Sequence, residues 1–510
     1  MIDRTENNKR IAKNTLLLYG RMLLMMAINL YTSRVILKAL GVDDYGIYNV
    51  VGGVVSMFSI LSGSLSAAVS RFITFELGRG DLNKLKTVFC TAVNVQLILI
   101  FIITFLLETL GLWFLNYKMV IPEDRLSAAN WVFQFSVITF AVNLWSVPYN
   151  ASIIAHEKMS AFAYISIFDA FAKLLIAFVI LVNPFDRLIY YGSLVLLIGI
   201  IQRFLYSSYC KKHFEECKYH ILFNKKLTYE MFSFAGWNFF GAGSWQLMTQ
   251  GVNLLLNLFF GVATNAARGI AVQVDGAVML FVNNFTTAIN PQITKSYATG
   301  DNNYMYNLMF RGAKFSFYLV LLFAIPIMCE TQYILNIWLG IVPAHTVMFV
   351  RLALLVSMIH VLSNTMITAM LATGNIKKYQ IIVGGLGMLV FPLAWFFFYV
   401  GLPPETAYLS TIIIFIFQLI CRLKLMKEMI NMPSNIYMKE VLLKVILVSL
   451  CASILPVTLL TLISDTFIRF VLVIIVSGIS SIFSIWFLGL NNIEQEFFLS
   501  YITKLKAKLS

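Results

Sequence analysis

Apolar stretches of about 20 or more residues, the length that an α-helix needs to cross the hydrocarbon core of a bilayer, follow one another along nearly the whole chain. Only 12% of the 510 residues are charged, whereas a typical soluble domain has roughly 25%. Such a composition leaves too few polar side chains to cover a water-facing surface. The sequence therefore predicts a polytopic membrane protein made only of helices, because backbone that faces lipid must satisfy its hydrogen bonds within its own segment.

Fourteen candidate spans can be counted, and no cleavable signal peptide is evident before the first. They cover residues 14–38, 46–75, 87–113, 127–154, 159–182, 188–209, 230–259, 268–291, 309–330, 346–371, 379–400, 405–426, 441–463 and 467–489. Most of the 38 Lys and Arg residues lie in alternate connections, beginning with the N-terminus. Because basic residues concentrate on the cytosolic side of membrane proteins, both termini are expected in the cytosol.

A weak internal repeat has an offset of 220 positions. Residues 41–42 and 261–262 are both Gly-Val, and the Gly-Asp-x-Asn pattern at 80–83 recurs at 300–303. Six spans separate the copies, so both copies face the same way, as in transporters built from parallel repeats. The Arg-Gly-Asp tripeptide in this first turn is expected on the cytosolic side, which excludes a role in cell adhesion.

The predicted fold is an all-α polytopic membrane protein with two six-helix bundles in a parallel repeat and two extra C-terminal helices. Its predicted parts are a cytosolic N-terminus at 1–13, an N-terminal lobe at 14–210, a cytosolic linker at 211–229, a C-terminal lobe at 230–428, extra helices 13 and 14 at 441–490, and a cytosolic tail at 491–510.

Amide side chains form a stripe along predicted span 7, and spans 1, 2 and 8 carry polar stripes of their own. Polar residues within spans usually face the interior of a bundle or a water-filled cavity, although small-residue stripes also serve close helix packing. Spans 1, 2, 7 and 8 are equivalent pairs in the repeat, so a cavity is expected between the lobes. Its predicted amide lining is Asn49, Gln246, Gln250, Asn253 and Asn257.

Away from their cytosolic ends, the same four spans contain three arginines, Arg21, Arg34 and Arg268, but only one acid, Asp275. Guanidinium groups bind phosphate through paired donors and a persistent charge, so the cavity is expected to accept an anionic, hydroxyl-rich cargo. For Arg34 and Arg268 the alternative is that they extend to the outer interface. Asp275 is the candidate for coupling to a proton or a sodium ion; alternatively, it pairs with Arg268.

The remaining sequence patterns indicate no further site of transport or catalysis. No Gly-rich phosphate-binding loop is present, so ATP hydrolysis is not expected, and no pattern typical of an enzyme site or a cofactor site is recognised. The net charge of +14 is explained by the basic cytosolic connections, so no nucleic-acid partner is expected. Cys210, His213, Cys217 and His220 have side chains that can bind zinc, but their spacing also describes one stripe of a helix. Asp169 and Lys173, four residues apart, are expected to form an ion pair.

The opening segment resembles bacterial polysaccharide-unit flippases of the multidrug/oligosaccharidyl-lipid/polysaccharide (MOP) exporter superfamily. The matching pieces are LGVDDYGIYNVV, the Ser/Gly/Ala-rich span 2, and the loops IIAHEKMSAFAYISI and MLATGNIKKYQIIVG. The resemblance implies a MATE-like inner-membrane protein that alternates access between two lobes. The implied cargo is an undecaprenyl-pyrophosphate-linked oligosaccharide, moved from the cytosolic to the periplasmic leaflet for lipopolysaccharide O-antigen, capsule or exopolysaccharide assembly.

The resemblance also implies partners and residue roles. In relatives, basic cavity residues engage the pyrophosphate, and Arg21, Arg34 and Arg268 occupy comparable places here. The two extra helices would form a groove for the lipid tail. The implied partners are the lipid-linked oligosaccharide, membrane lipid and the polysaccharide polymerase machinery.

Three alternatives remain. The first is a cation-coupled multidrug exporter of the same fold, with Asp275 as its coupling acid. A membrane glycosyltransferase or polymerase is disfavoured because the outer loops are too short to build an active site. A non-transporting scaffold would not need the amide stripe of span 7.

Overall fold

The computed structural model describes residues 4–56, 59–117, 121–182, 186–220, 222, 224–339, 342–464, 466–496 and 499. This part of the chain is built from helices joined by short connections and contains no β-strand. The helices of the first half are α1 Arg4–Ser56, α2 Ser59–Arg79, α3 Leu82–Leu106, α4 Leu112–Tyr117, α5 Leu126–Ala155, α6 Met159–Val179, α7 Arg187–His213 and α8 Lys225–Gln246.

The second half continues the same pattern, with several helices joined end to end by single π-helical turns. Its helices are α9 Val252–Phe260, α10 Val262–Ala298, α11 Asn302–Cys329, α12 Thr331–Leu339, α13 Thr346–Thr373, α14 Lys377–Tyr379, α15 Gly385–Met388, α16 Val390–Tyr399, α17 Thr406–Ile430, α18 Ser434–Tyr437, α19 Lys444–Leu462 and α20 Phe467–Ser484. The π-turn Leu247–Gly251 joins α8 to α9.

Ten helices in the described ranges are long and apolar enough to cross a membrane. They correspond to predicted spans 3–6 and 9–14, which confirms an all-α polytopic membrane protein. Predicted spans 1, 2, 7 and 8 are also helical, within α1, α2 and α8–α10. These four carry the polar stripes, and they are therefore the spans for which apolar composition gives the weakest signal.

The chain divides into two compact units. The first comprises residues 1–243, 294–301 and 374–377, and the second comprises 244–293, 302–373 and 378–510. In the first unit α5 packs against α1, α2, α3 and α7, and α6 packs against α1. In the second, α11 packs against α13 and α13 against α17, while α19 and α20 pack on each other and on α11. The lobe boundaries expected from the sequence stay a prediction.

The backbone repeats at the positions where the sequence repeats. Gly41 and Gly261 both have φ of 81°, and Gly80 and Gly300 have φ of 75° and 76°. The sequence predicts loops after spans 1 and 7. Instead, Gly41 makes a kink within α1, and Gly261 alone separates α9 from α10. A single residue is enough to change the direction of the chain at each position, because glycine has no Cβ and adopts positive φ without a steric penalty.

Equivalent positions at the starts of equivalent helices also carry paired side chains. Arg125 directly precedes α5 and contacts Asp186, the N-cap residue of α7, with Nη1 2.5 Å from Oδ2. Arg125 also pairs with Asp44. In the second unit His345 directly precedes α13, and its Nδ1 lies 2.6 Å from Oε1 of Glu405, the N-cap residue of α17. The repeat therefore extends to the contacts that hold helix ends together within each unit.

Candidate functional site

A cavity of about 340 Å³ lies within the second unit. Its walls come from the end of α8, the π-turn that follows, α9, α10, α13 and α17. The residues that give it chemical character are Arg268, Asp275, Ser357, His360 and Tyr408. Cavities of this size accommodate small molecules or one part of a larger ligand.

Arg268 is the positively charged group of this cavity. Only 9% of its surface is exposed, and its Nη1 donates a 2.6 Å hydrogen bond to Oδ1 of Asn253. Asn253 in turn donates from Nδ2 to Oε1 of Gln250 at 2.9 Å. The described residues place no carboxylate oxygen within 4.0 Å of Arg268. Its positive charge is thus oriented by amides but not neutralised.

The hydroxyl of Tyr408 lies beside the guanidinium of Arg268 and interacts with it electrostatically. The Tyr408 hydroxyl is nevertheless buried, and the described structure gives it no hydrogen-bond partner. Buried hydroxyl groups normally have a partner, so this one is available to a ligand.

Asp275 is the negatively charged group of the cavity. Ser357 donates a 2.5 Å hydrogen bond from Oγ to its Oδ1. The described part of the chain contains no ion pair between Asp275 and a cation, so the structure does not join it to Arg268. The two residues lie seven positions apart on α10, and seven positions correspond to about 10 Å along a helix axis.

Aromatic rings from three helices form one wall of the cavity. The ring of Trp245 from α8 lies 5.1 Å from that of His360 in α13, measured between centroids. Phe415 from α17 lies 5.4 Å from His360 and is stacked on Trp245 at 6.2 Å. The cavity therefore combines one positive and one negative side chain with an aromatic wall.

The structure distributes the other predicted cavity residues differently. Gln246 and Gln250 are exposed and do not line the cavity, whereas Asn253 reaches it through Arg268. The side chains of Arg34, Asn49 and Asn257 lie outside the described residues. A cavity between the lobes stays a prediction.

Arg21 lies in the first unit, half-buried between α1 and α6. Its Nη1 donates to Oγ of Ser166 at 3.2 Å, and its guanidinium lies 4.7 Å from the centroid of the Phe162 ring. Arg21 thus lies in the first unit and Arg268 in the second.

The remaining sequence patterns have structural roles. The predicted ion pair in α6 is confirmed, with Lys173 Nζ 2.7 Å from Asp169 Oδ2. His213 stacks on Tyr209, and Cys210 donates to the carbonyl oxygen of Tyr149. Within the described ranges, no three His, Cys, Asp or Glu side chains are grouped to hold a metal ion.

Sequence reasoning did not single out Ser357, His360, Trp245, Tyr408 or Phe415, which lie in the cavity wall. Ser357 and His360 lie three positions apart in the otherwise apolar stretch 352–362, and this spacing is a signal that one polar face exists. Trp245, Tyr408 and Phe415 give no such signal, because aromatic residues make up 15% of the chain.

Solved structures of MATE transporters have the same fold. A MATE transporter in the bent conformation has a TM-score of 0.70 at 11% identity, with 83% of this chain and 97% of that chain covered. An outward-facing multidrug resistance MATE family transporter of the MOP superfamily has a TM-score of 0.69 at 11% identity, covering 81% and 94%. A MOP superfamily transporter from Pyrococcus furiosus, described as having a binding pocket of reversed polarity, has a TM-score of 0.67 at 11% identity, covering 81% and 94%.

Comparison by sequence gives a weaker match than comparison by structure. The uncharacterized membrane protein EpsK of Bacillus subtilis (strain 168) is 21% identical over 332 residues, which are 62% of this chain. The match spans 63% of EpsK, just under two thirds of its length. No family model matches the chain. The protein is thus a multi-pass membrane protein with the fold of the MATE transporters of the MOP superfamily.

Proposed function

We propose that this protein is a transporter that moves an undecaprenyl-pyrophosphate-linked oligosaccharide from the cytosolic to the periplasmic leaflet of a bacterial inner membrane. The single observation that carries the proposal is Arg268, which lines a cavity inside a membrane-spanning unit while its guanidinium donates to the amide oxygen of Asn253. Charged residues at such positions commonly mark a substrate pathway.

The chemistry of the cavity fits a sugar phosphate better than an apolar cation. A guanidinium group donates paired hydrogen bonds to phosphate oxygens, and the Tyr408 hydroxyl beside it has no partner among the described residues. The Trp245 and Phe415 rings offer an apolar face on which a sugar ring can pack. The sequence resemblance to polysaccharide-unit flippases supports the same class of cargo.

The same fold also serves other cargo, so the fold alone does not select a ligand. The description of the Pyrococcus furiosus transporter associates reversed pocket polarity with a different function. A cation-coupled multidrug exporter is therefore the second candidate. Asp275 is the observation in its favour, since it would hold the coupling proton or sodium ion or a cationic drug.

A deletion and complementation experiment separates the two functions. The gene is deleted in the native host and restored as wild type or as Arg268→Gln, and lipid-linked intermediates are extracted. A flippase predicts loss of surface polysaccharide in the deletion strain, accumulation of an undecaprenyl-linked unit on the cytosolic side, and rescue by the wild-type gene. Unchanged polysaccharide with increased sensitivity to cationic drugs would establish the exporter instead.

The variant needs a matched control, because Arg268→Gln could act through folding. Arg203 in α7 is an arginine of the first unit, and its guanidinium packs 4.5 Å from the Trp145 ring and 4.2 Å from the Tyr149 ring. Arg203→Gln removes the same charge from a membrane helix outside the cavity. At equal expression, only Arg268→Gln is expected to fail in complementation.

A further inference from the structure

We infer that the cavity of the second unit binds an amino sugar phosphate, with the phosphate at Arg268 and the protonated amine at Asp275. The inference rests on the proposed function for the phosphate-bearing cargo and adds the chemical class of the sugar. It assigns Asp275 to the substrate, whereas the sequence alone suggested a proton or sodium ion.

The first step is the balance of charge within the cavity. Arg268 and Asp275 both line it, and within the described residues neither has a partner of opposite charge within 4.0 Å. A lone charge inside a membrane protein is costly, and pairing with an opposite charge relieves that cost. A ligand that carries both a negative and a positive group satisfies both residues at once.

The second step is the separation of the two charges. Arg268 and Asp275 are two helical turns apart on one helix, a separation of about 10 Å along the axis. Both side chains line the same cavity, and among the described residues no ion pair joins them. A single phosphate or a single ammonium ion satisfies only one of the two charges, whereas a sugar ring that carries both groups can satisfy the two together.

The third step is the aromatic wall of the cavity. Trp245, His360 and Phe415 present rings with centroids 5.1–6.2 Å apart. Aromatic faces attract the weakly polar C–H face of a ring, and those of Trp also attract cations. Thr249, Ser357 and Thr411 add hydroxyl groups around the wall, and these suit the hydroxyl groups of a sugar.

The fourth step is the unpartnered oxygen near Arg268. The buried Tyr408 hydroxyl has no hydrogen-bond partner in the described structure, although it lies in the cavity wall. A phosphate bound to Arg268 would accept a hydrogen bond from this hydroxyl. Arg268 and Tyr408 therefore offer donors of two kinds to one anionic group, and the charged donor makes the stronger hydrogen bonds to phosphate.

The test compares three probes that differ by one group each. Purified full-length protein in lipid nanodiscs is titrated calorimetrically with glucosamine 6-phosphate, glucose 6-phosphate and glucosamine, at about pH 6.5, where a primary amine is protonated. Glucosamine 6-phosphate is expected to bind roughly tenfold or more tightly than either of the others, since each lacks one ion pair.

Two variants and a control assign the effect to the residues. Asp275→Asn is expected to make glucosamine 6-phosphate and glucose 6-phosphate bind equally, because the carboxylate that distinguishes them is gone. Arg268→Gln is expected to weaken both phosphates by roughly tenfold or more. Gln273→Ala, an exposed position on the same helix outside the cavity wall, is expected to change neither. Thermal unfolding of each variant checks that it is folded.

Three results would overturn the inference: equal binding of the two phosphates by the wild type, a preference that survives in Asp275→Asn, or no saturable binding of any probe. None of these results bears on whether deletion of the gene abolishes surface polysaccharide. Conversely, a preference for glucosamine 6-phosphate that depends on Asp275 would stand even if complementation showed a drug exporter. The two proposals can therefore fail separately.

Discussion

At the scale of single residues, the environment of Arg268 links sequence to function most directly. A buried arginine in a membrane helix is usually paired with a carboxylate, and such a pair has little charge left for a ligand. Here the guanidinium is oriented by Asn253, which is itself oriented by Gln250. The amide stripe predicted from the sequence thus positions the guanidinium of Arg268. Asn253 and Gln250, two members of this stripe, contribute to the site only through these hydrogen bonds.

The first prediction concerns transport by Arg268 variants. A charge-assisted hydrogen bond contributes roughly 1.5–3 kcal/mol, so Arg268→Gln is expected to lower transport of the lipid-linked unit by roughly ten- to hundredfold. Arg268→Lys keeps the charge but loses the paired donors, and its loss is expected to be smaller. Surface polysaccharide is quantified at matched expression. Wild-type levels in Arg268→Gln would show that the cargo does not use this arginine.

At the scale of helices, the sequence predicts where the spans lie but not how they turn. The 220-residue offset identified equivalent corners, and the φ angles of Gly41 and Gly261 agree. It did not reveal that each corner is a single residue, because spacing alone cannot distinguish a short loop from a kink. The sequence also does not predict that Arg125 pairs with Asp186 and His345 with Glu405, because these partners lie about 60 residues apart.

The second prediction concerns the kink in α1. Gly41 has φ of 81° and ψ of 173°, a conformation that is essentially restricted to glycine. No neighbouring atom lies within 4 Å of a Cβ placed there, so Gly41→Ala is expected to destabilise the protein only through backbone strain, by roughly 1–3 kcal/mol. Thermal unfolding in detergent measures the change.

Gly52 is the matched control for this kink, because it lies in the same helix and a Cβ placed there also has no neighbouring atom within 4 Å. Its backbone is helical, so Gly52→Ala is expected to be neutral or slightly stabilising, given the higher helix propensity of alanine. Equal destabilisation by both substitutions would mean that the kink at Gly41 does not depend on the glycine conformation.

The third prediction concerns pH and the N-cap of α7. Partial burial acts to raise the pKa of Asp186, but hydrogen bonds from Arg125 and from the backbone N–H groups of Ile189 and Leu188 outweigh it and lower the pKa. A lowered pKa means that the carboxylate stabilises the fold above its unfolded value of about 3.9. That stabilisation is lost as the pH falls through the lower folded value.

Asp186→Asn separates charge from capping, since asparagine is also a good N-cap residue. The difference in unfolding free energy between wild type and Asp186→Asn is therefore expected to be constant above about pH 5 and to shrink below about pH 4. Measuring the unfolding free energy of both proteins across this pH range tests whether the difference between them shrinks at low pH. A difference that grows with acidity would contradict the account.

At the scale of the whole molecule, the C-terminal segment is anchored by buried charges. Lys314 in α11 and Glu494 are almost fully buried, with Nζ 2.9 Å from Oε2, and Arg311 Nε lies 3.3 Å from Oε1 of the same carboxylate. Glu494 is therefore tied to the interior of the second unit, and the cytosolic tail at 491–510 stays a prediction.

The fourth prediction follows from this anchor. Glu494→Gln leaves Lys314 buried without its counter-charge, which is expected to cost about 3–5 kcal/mol of stability. Glu496 is exposed two residues further on, and Glu496→Gln is expected to leave the unfolding temperature unchanged. Thermal unfolding of both variants decides the point, since equal stability of wild type and Glu494→Gln would show that the ion pair makes no contribution.

The sequence predicted more of the overall architecture than of the site. The length of the apolar stretches predicted the helices, and the 220-residue offset predicted the positions that repeat, because both can be recognised in the local sequence. The cavity wall brings together Trp245, His360 and Phe415 from three helices, and no local pattern specifies which faces of distant helices meet. The sequence predicted Arg268 and Asp275 because a charged residue within an apolar helix can be recognised from the local sequence alone.

The most direct test of the central claim is a flipping measurement with the purified protein. Proteoliposomes are prepared with a fluorescent undecaprenyl-pyrophosphate-linked sugar in both leaflets, and a membrane-impermeant reagent quenches the accessible fraction. We predict that wild-type protein makes nearly all of the label accessible, whereas empty vesicles and Arg268→Gln protein leave about half protected. Protection equal to that of empty vesicles with the wild-type protein, at confirmed reconstitution, would contradict the claim that this protein transports lipid-linked oligosaccharide.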